Sequence, residues 1–201
     1  MRQLTSEEFN LLIETWQEDN VLGVESLFEV ELTEQQKELV RLADDQKARV
    51  AVSSCTGSGK TAVLSMLTLL YLMILPDCRI LITSPSSQQL RRVFYAEVKK
   101  WMRRMPDQFQ AYYETTIETI RYTNSEKYEN FASMVTASVE NKEALQGGHA
   151  ENYIIFADEA SGISEEAFDI LLGTLSTGLG GRFLQVSNPV RSSGRFYQIF
   201  Q

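Results

Sequence analysis

The stretch Ser53 to Ala62, reading SSCTGSGKTA, constrains this chain more than any other. An apolar run, Val50-Ala51-Val52, precedes it, and a long helical pattern opens at Lys60. Strand, glycine-rich turn and helix in that order make a phosphate-binding loop. Gly57 and Gly59 let backbone N–H groups reach phosphate oxygens that a Cβ would hold off. Lys60 offers a positive charge to the β and γ phosphates, and the Thr61 hydroxyl is a ligand for Mg²⁺. The positive end of the following helix points at the same place. The pattern G-x-x-x-x-G-K-[ST] is met at every fixed position but the first, where Ser54 stands in place of glycine. The expected nucleotide-binding set is therefore Ser54, Cys55, Thr56, Gly57, Ser58, Gly59, Lys60 and Thr61.

The 201 residues suffice for one domain with a sizeable core. A net charge of −8 argues against a protein that coats nucleic acid, while leaving room for a local basic face. His149 is the single histidine, which excludes zinc sites built on several. Cys55 and Cys78 lack metal-ligand spacing and are read as reduced thiols of a cytosolic protein. Met1 to Asn20 is polar and acidic, unlike a secretory leader. Ala62 to Leu75 is apolar but too short to span a bilayer, and it carries Ser65 and Thr68. A helix buried against a sheet explains it better.

Periodicity predicts an acidic amphipathic helix over Thr5 to Trp16, capped by Ser6, with Phe9, Leu12, Ile13 and Trp16 on one side. Asn20 to Gly23 reads as a break. A helix capped by Thr33 runs to Asp44, with Leu39, Val40 and Ala43 inward. Strands are expected at Arg49 to Ser53, Arg79 to Thr83, Tyr153 to Ala157 and Arg182 to Ser187. A helix opening at Pro85 runs to Met105. Thr116 to Thr123 and Asn130 to Ala137 read as a hairpin about the polar turn Asn124-Ser125-Glu126. Ser164 caps a helix reaching Leu172, and Gly178 to Gly181 is a turn. Strands alternating with helices predict an α/β fold with a mostly parallel central sheet flanked by helices. Residues 1–30 are expected to be a helical appendage and 31–201 the main domain.

Four further stretches carry chemistry. Tyr153-Ile154-Ile155-Phe156-Ala157 delivers Asp158 and Glu159 to the C-terminal end of a buried strand, where open α/β sheets bind ligands. Asp158 suits Mg²⁺ held through its water shell, and Glu159 suits a base for the water attacking a γ-phosphate. Glu directly after Asp points to hydrolysis of ATP by the additional-strand type, and no N-K-x-D guanine signature is present. The Gln36 amide can donate and accept at once, which matches the adenine edge or equally a solvated helix position. Ser187 and Asn188, at another strand end, are placed to sense the γ-phosphate. After Ser84-Pro85-Ser86-Ser87-Gln88-Gln89, residues Arg92, Lys99 and Arg103 form a basic stripe with Lys100 and Arg104 beside it. Leu90, Phe94, Val98 and Trp101 lie opposite. That face is expected either to meet DNA or an acidic partner or merely to be solvated.

Taken together, these motifs resemble the ATPase domain of viral large terminase subunits, over roughly residues 30 to 201. The most family-like stretches are Leu145-Gln146-Gly147-Gly148-His149-Ala150 and Asn188-Pro189-Val190-Arg191-Ser192-Ser193-Gly194-Arg195-Phe196. The resemblance implies a RecA-like P-loop fold, ATP and Mg²⁺ as cofactors, and Lys60, Asp158 and Glu159 as the catalytic set, with Ser187-Asn188 coupling hydrolysis to movement. It implies double-stranded DNA, a portal protein and a small terminase subunit as partners, a homo-oligomeric ring as the active form, no membrane, and the host cytoplasm as location. Two departures stand out. Some large terminases carry an arginine early in the loop, where this chain has Ser53 and Ser54. Complete ones continue into a nuclease domain, so no DNA cleavage is expected from these residues. A helicase or DNA-repair ATPase, and a nucleotide-binding module with little turnover, are the alternatives.

Overall fold

A strand that is apolar throughout has to be covered on both faces, and crossover helices do the covering. The computed structural model, which describes residues 4–125, 127–146, 150–176 and 181–201, has that arrangement. Three helices lead in: α1 (Ser6–Glu18), α2 (Asn20–Phe28) and α3 (Glu34–Leu42). Strand β1 (Arg49–Ser53), helix α4 (Lys60–Ile74) and strand β2 (Cys78–Ser84) follow. A composite helix comes next, made of α5 (Ser87–Gln89), a π-helical turn (Leu90–Phe94) and α6 (Tyr95–Met102). After α7 (Asp107–Gln110) come β3 (Tyr113–Thr115), β4 (Thr119–Tyr122) and β5 (Asn130–Thr136). The chain continues through α8 (Lys142–Leu145), β6 (Asn152–Asp158), α9 (Glu165–Ser176), β7 (Arg182–Ser187) and α10 (Arg195–Gln198).

The strands form one sheet in the order β1-β7-β6-β2-β5-β4-β3. The first five run parallel, and β4 and β3 pair antiparallel at one edge. Strand β7 is inserted between the loop strand β1 and the acid-bearing strand β6. The register pairs Ser53 with Ser187 and Asp158 with Val186, so three strand ends finish in adjacent rows.

Alternation along β6 sends its side chains into two separate cores. Ile154 and Phe156 join Val50, Ile80 and Leu184 under α4, while Tyr153 and Ile155 join Phe183, Phe168 and Leu171 under α9. Helix α4 is buried from Val63 to Ile74. Its Thr68 hydroxyl donates to the Leu64 carbonyl at 2.8 Å, and its Tyr71 hydroxyl to the Ala43 carbonyl at 3.2 Å. Full burial pushes the Tyr71 phenol well above its ordinary range. Among the described residues no helix is long and apolar enough to cross a membrane.

Several local expectations need correction. Thr5, not Ser6, caps α1: its hydroxyl accepts from Glu8 N–H at 3.2 Å, and the Glu8 carboxylate accepts Thr5 N–H at 2.8 Å. Such a reciprocal box satisfies two orphan donors, which a single cap cannot. Asn20 to Gly23 is helical, and the break falls at Asp19, whose carboxylate accepts Leu22 N–H at 3.0 Å. Gly23 serves close packing instead of a turn, since a Cβ there would lie 3.1 Å from Leu70 and 3.2 Å from Trp16. The helix after β2 is capped by Ser86 and ends at Met102, and its π turn interrupts the even 3.6-residue period. Strand β3 is an addition to the expected hairpin. Glu126 of its turn, Gly147 to His149, and residues 178–180 of the expected glycine turn lie outside the described residues.

Trp16, Val24, Leu27 and Phe28 of the first two helices lie in the same core as α4, and Trp16 packs 5.7 Å from the Phe109 ring. Trp16→Ala is therefore expected to lower the unfolding free energy of the whole chain by about 3–5 kcal/mol. Chemical denaturation should show one cooperative transition. A separate, earlier transition for the first 30 residues would instead make them an independent appendage.

Candidate active site

The loop between β1 and α4 is built as its residue types require. Gly57 and Gly59 adopt φ of 86° and 83°, the left-handed region that side chains disfavour. Lys60 Nζ donates to the carbonyls of Ser54 at 3.0 Å and Cys55 at 2.9 Å, and to Asn188 Oδ1 at 2.8 Å. At the motif's first position, Ser54 Oγ meets Ser58 Oγ at 2.8 Å, a brace across the loop that glycine could not make. Ser54 N–H also donates to the Ser187 carbonyl at 3.2 Å, which ties the loop to β7.

Gln36 grips the loop from the other side. Its Oε1 accepts Thr33 N–H at 3.0 Å, closing the capping box of α3, and its Nε2 donates to the Ser58 carbonyl at 3.2 Å. A Cβ on Gly59 would run into this amide, so glycine is needed there for approach as well as for φ. Both ends of the amide are engaged by backbone.

Opposite the loop stand the two acids. Thr61 Oγ1 lies 3.1 Å and 3.3 Å from the carboxylate oxygens of Asp158. Asp158 is almost fully buried, and burial pushes its carboxyl up to about 6. The Thr61 hydroxyl pulls it back, Glu159 pushes it further up, and the Gln89 amide lowers it a little. Glu159 follows in the left-handed region at φ 54°, a conformation costing on the order of 1 kcal/mol for a residue with a Cβ. Ser187 Oγ donates to Glu159 Oε2 at 3.4 Å, and it is itself held by Ser161 Oγ at 2.7 Å and Ser161 N–H at 3.2 Å. Asn188 completes the ring of contacts by donating from Nδ2 to Thr56 Oγ1 at 3.0 Å.

A cleft of about 450 Å³ opens over these groups. Besides the loop, Glu159 and Asn188, it is lined by Gln89, Val93, Glu97 and Lys100 of the composite helix. The basic residues of this helix have different surroundings. Lys100 turns into the cleft, Lys99 lies over the Tyr95 ring at 6.0 Å, and Arg104 stacks on Trp101 at 5.0 Å while donating to the Glu29 carbonyl. Arg92 and Arg103 are exposed. A helical wheel carries the signal for the cleft face: Lys100 falls about 80° round from Arg92 and only about 20° from Val93. Glu97 and Ser161 are residues of the site that motif reasoning did not single out, and Gln89 ends the Ser84 to Gln89 stretch without having been given a role.

A mostly parallel sheet with one strand inserted between loop strand and acid strand, with a G-K-T loop facing an Asp-Glu pair, defines a P-loop NTPase of the additional-strand, RecA-like type. Residues 53–201 match the family described as terminase large subunit, T4likevirus-type, N-terminal, and the chain belongs to that family. It is 29% identical over 198 residues to the probable terminase large subunit of Enterobacteria phage P7, across 96% of this chain and 40% of that protein. The chain thus spans less than half the length of that relative. Its fold is similar to the large terminase ATPase domain of Thermus phage P74-26, with a TM-score of 0.65, 21% identity, and coverage of 88% of this chain and 72% of that one. It is also similar to a large terminase from a thermophilic bacteriophage in complex with ADP, with a TM-score of 0.57, 16% identity, and coverage of 78% and 39%.

Two outcomes follow from this geometry. Gln36→Ala should weaken ATP and GTP binding equally, by roughly 2–10-fold, because one loop hydrogen bond is lost. Competition against a fluorescent nucleotide measures both, and a loss confined to ATP would assign the amide to the adenine edge. The second concerns Asp158. Its folded-state carboxyl titrates above the ordinary value of 3.8, so the fold favours the protonated form. Stability in EDTA should then fall as pH rises from about 4 through 6, by on the order of 2–3 kcal/mol. Asp158→Asn removes that decline, and denaturation at pH 4.5 and pH 8 compares the two. An unchanged pH dependence would mean that Asp158 is not the group responsible.

Proposed function

We propose that this chain is a Mg²⁺-dependent ATPase whose hydrolysis drives double-stranded viral DNA into a procapsid, as the motor part of a large terminase. The observation that carries this reading is the convergence of Lys60, Thr61, Asp158, Glu159, Ser187 and Asn188 at the adjoining ends of β1, β6 and β7. The Thr61 hydroxyl beside the Asp158 carboxylate is a pair of hard oxygen donors, which fits a cation that keeps most of its water. When bound there, Mg²⁺ neutralises charge on the β and γ phosphates.

Lys60 binds the same phosphates, exchanging its carbonyl partners for phosphate oxygens. Glu159 orients a water in line with the γ-phosphorus and takes its proton as the new P–O bond forms. The bond to the ADP oxygen breaks, and inorganic phosphate leaves. Ser187 holds Glu159, and Asn188 links Lys60 to Thr56, so loss of the γ-phosphate is felt on β7 and in the segment after it. Through this segment hydrolysis is coupled to movement of DNA, within a homo-oligomeric ring on a portal, with a small terminase subunit, in the host cytoplasm.

Phosphate release from Mg-ATP tests the reading. Glu159→Gln should lower kcat by about 10²–10⁴-fold with ATP binding retained, and Lys60→Ala should lose binding. A steep rise in wild-type turnover with protein concentration would indicate a group supplied by a neighbouring copy. If Glu159→Gln turns over at the wild-type rate, the base is misassigned. ATP binding with no phosphate release, even with DNA present, would favour a binding module.

A further inference from the structure

Lys100 is the second cation of the nucleotide cleft. Among the described residues lining it, the positive charges are Lys60, from the loop, and Lys100, from the composite helix; no arginine lines it. Lys100 shares this cleft with Glu159 and Asn188, the groups at the γ-phosphate end. Its ammonium is held in place. Nζ donates to Glu97 Oε1 at 2.7 Å and sits 4.9 Å from the centre of the Trp101 ring. The same Glu97 oxygen accepts Trp101 Nε1–H at 3.0 Å, which fixes the carboxylate against the helix.

We infer that Lys100 binds the γ-phosphate of a nucleoside triphosphate from within the same chain, leaving Glu97 to do so. The inference rests on the ATPase reading above. Three arguments carry it. First, an ion pair whose lysine is half exposed contributes little, so exchanging it for another anion costs little. Second, a terminal phosphate carries more charge than the Glu97 carboxylate, and it offers several acceptor oxygens, whereas the Glu97 oxygen that Lys100 contacts is already shared with Trp101. Third, phosphoryl transfer is catalysed mainly by positioned charge around the γ-phosphate oxygens, and Lys60 alone provides it from one side. Lys100 moves no proton in this role. It senses whether the third phosphate is present, and Glu97 receives it again when phosphate leaves. An ADP-bound cleft therefore gains nothing from it.

The test compares the full chain with Lys100→Ala, Lys100→Arg and Glu97→Gln, using the affinity for Mg-ATPγS relative to Mg-ADP together with phosphate release. Lys100→Ala should lose roughly tenfold or more of the ATPγS preference, with ADP affinity within about twofold of wild type, and kcat should fall by about 10–100-fold. Lys100→Arg should restore most of the preference, and Glu97→Gln should keep or raise it. If Lys100→Ala keeps the wild-type ATPγS/ADP ratio and turns over normally while Lys60→Ala does not, the inference fails and the ATPase reading stands. Weaker, more salt-sensitive DNA binding by Lys100→Ala with an unchanged nucleotide ratio also overturns it. A wild-type chain that binds both nucleotides without hydrolysing them defeats the ATPase reading while the ratio still decides Lys100. One that binds neither overturns both.

Discussion

Everything at the site depends on β7 lying between β1 and β6. Neighbouring strands stand about 4.8 Å apart, so one inserted strand sets the loop strand and the acid strand about 10 Å apart. Direct pairing of β1 with β6 would close that gap. The inserted strand is not a passive spacer. Its last residue, Ser187, pairs with Ser53 on one side and reaches Glu159 on the other, and its carbonyl accepts the first N–H of the loop at Ser54. The next residue, Asn188, touches both the lysine and the loop's Thr56.

The groups assembled there are ones a protein optimising only its stability would avoid. Asp158 is a buried carboxylate, Glu159 has a left-handed backbone, and Lys60 is drawn in against backbone carbonyls. Such features are tolerated where the surrounding fold over-determines them. Here the surroundings are two dry cores, one on each face of β6, and a twelve-residue buried stretch of α4 starting three residues after Lys60. The loop and the strand ends are thereby fixed by packing that has no part in the chemistry.

Much of this was legible in the residues. Strands β1, β6 and β7 are short, largely apolar runs bounded by polar turns; β1 leads into the loop, and β6 and β7 end on Asp158 and Ser187. The loop was readable because glycine, lysine and threonine at fixed spacing have few other uses. Other features are set by distant contacts. Asn20 to Gly23 looks like a break, yet Gly23 is there so that α2 can press on Leu70. Strand β3 is three residues long, too short for an alternation to show, and it exists because β4 offers it an edge. The helical period sets Lys100 beside the stripe of Arg92, Lys99 and Arg103, and it does not say that a cleft lies there. Only the packing of the composite helix over the cleft gave that position a meaning.

The role of Gln36 extends the site toward the N-terminus. Helix α3 begins with a capping box whose third member also clamps the loop at Ser58, so the start of α3 and the turn of the loop are one hydrogen-bonded unit. Helix α2, the element before α3, packs against α4 at Gly23 and Leu70. The loop leads directly into α4. It is therefore gripped at its turn by α3 and braced at its exit through the helix that α2 rests on. A shift of the N-terminal helices would reach the phosphate-binding backbone by two routes at once, through the Gln36 amide and through the axis of α4. The Gln36 amide and the approach of Gly23 to Leu70 thus tie the residues before the motif to the loop and to α4.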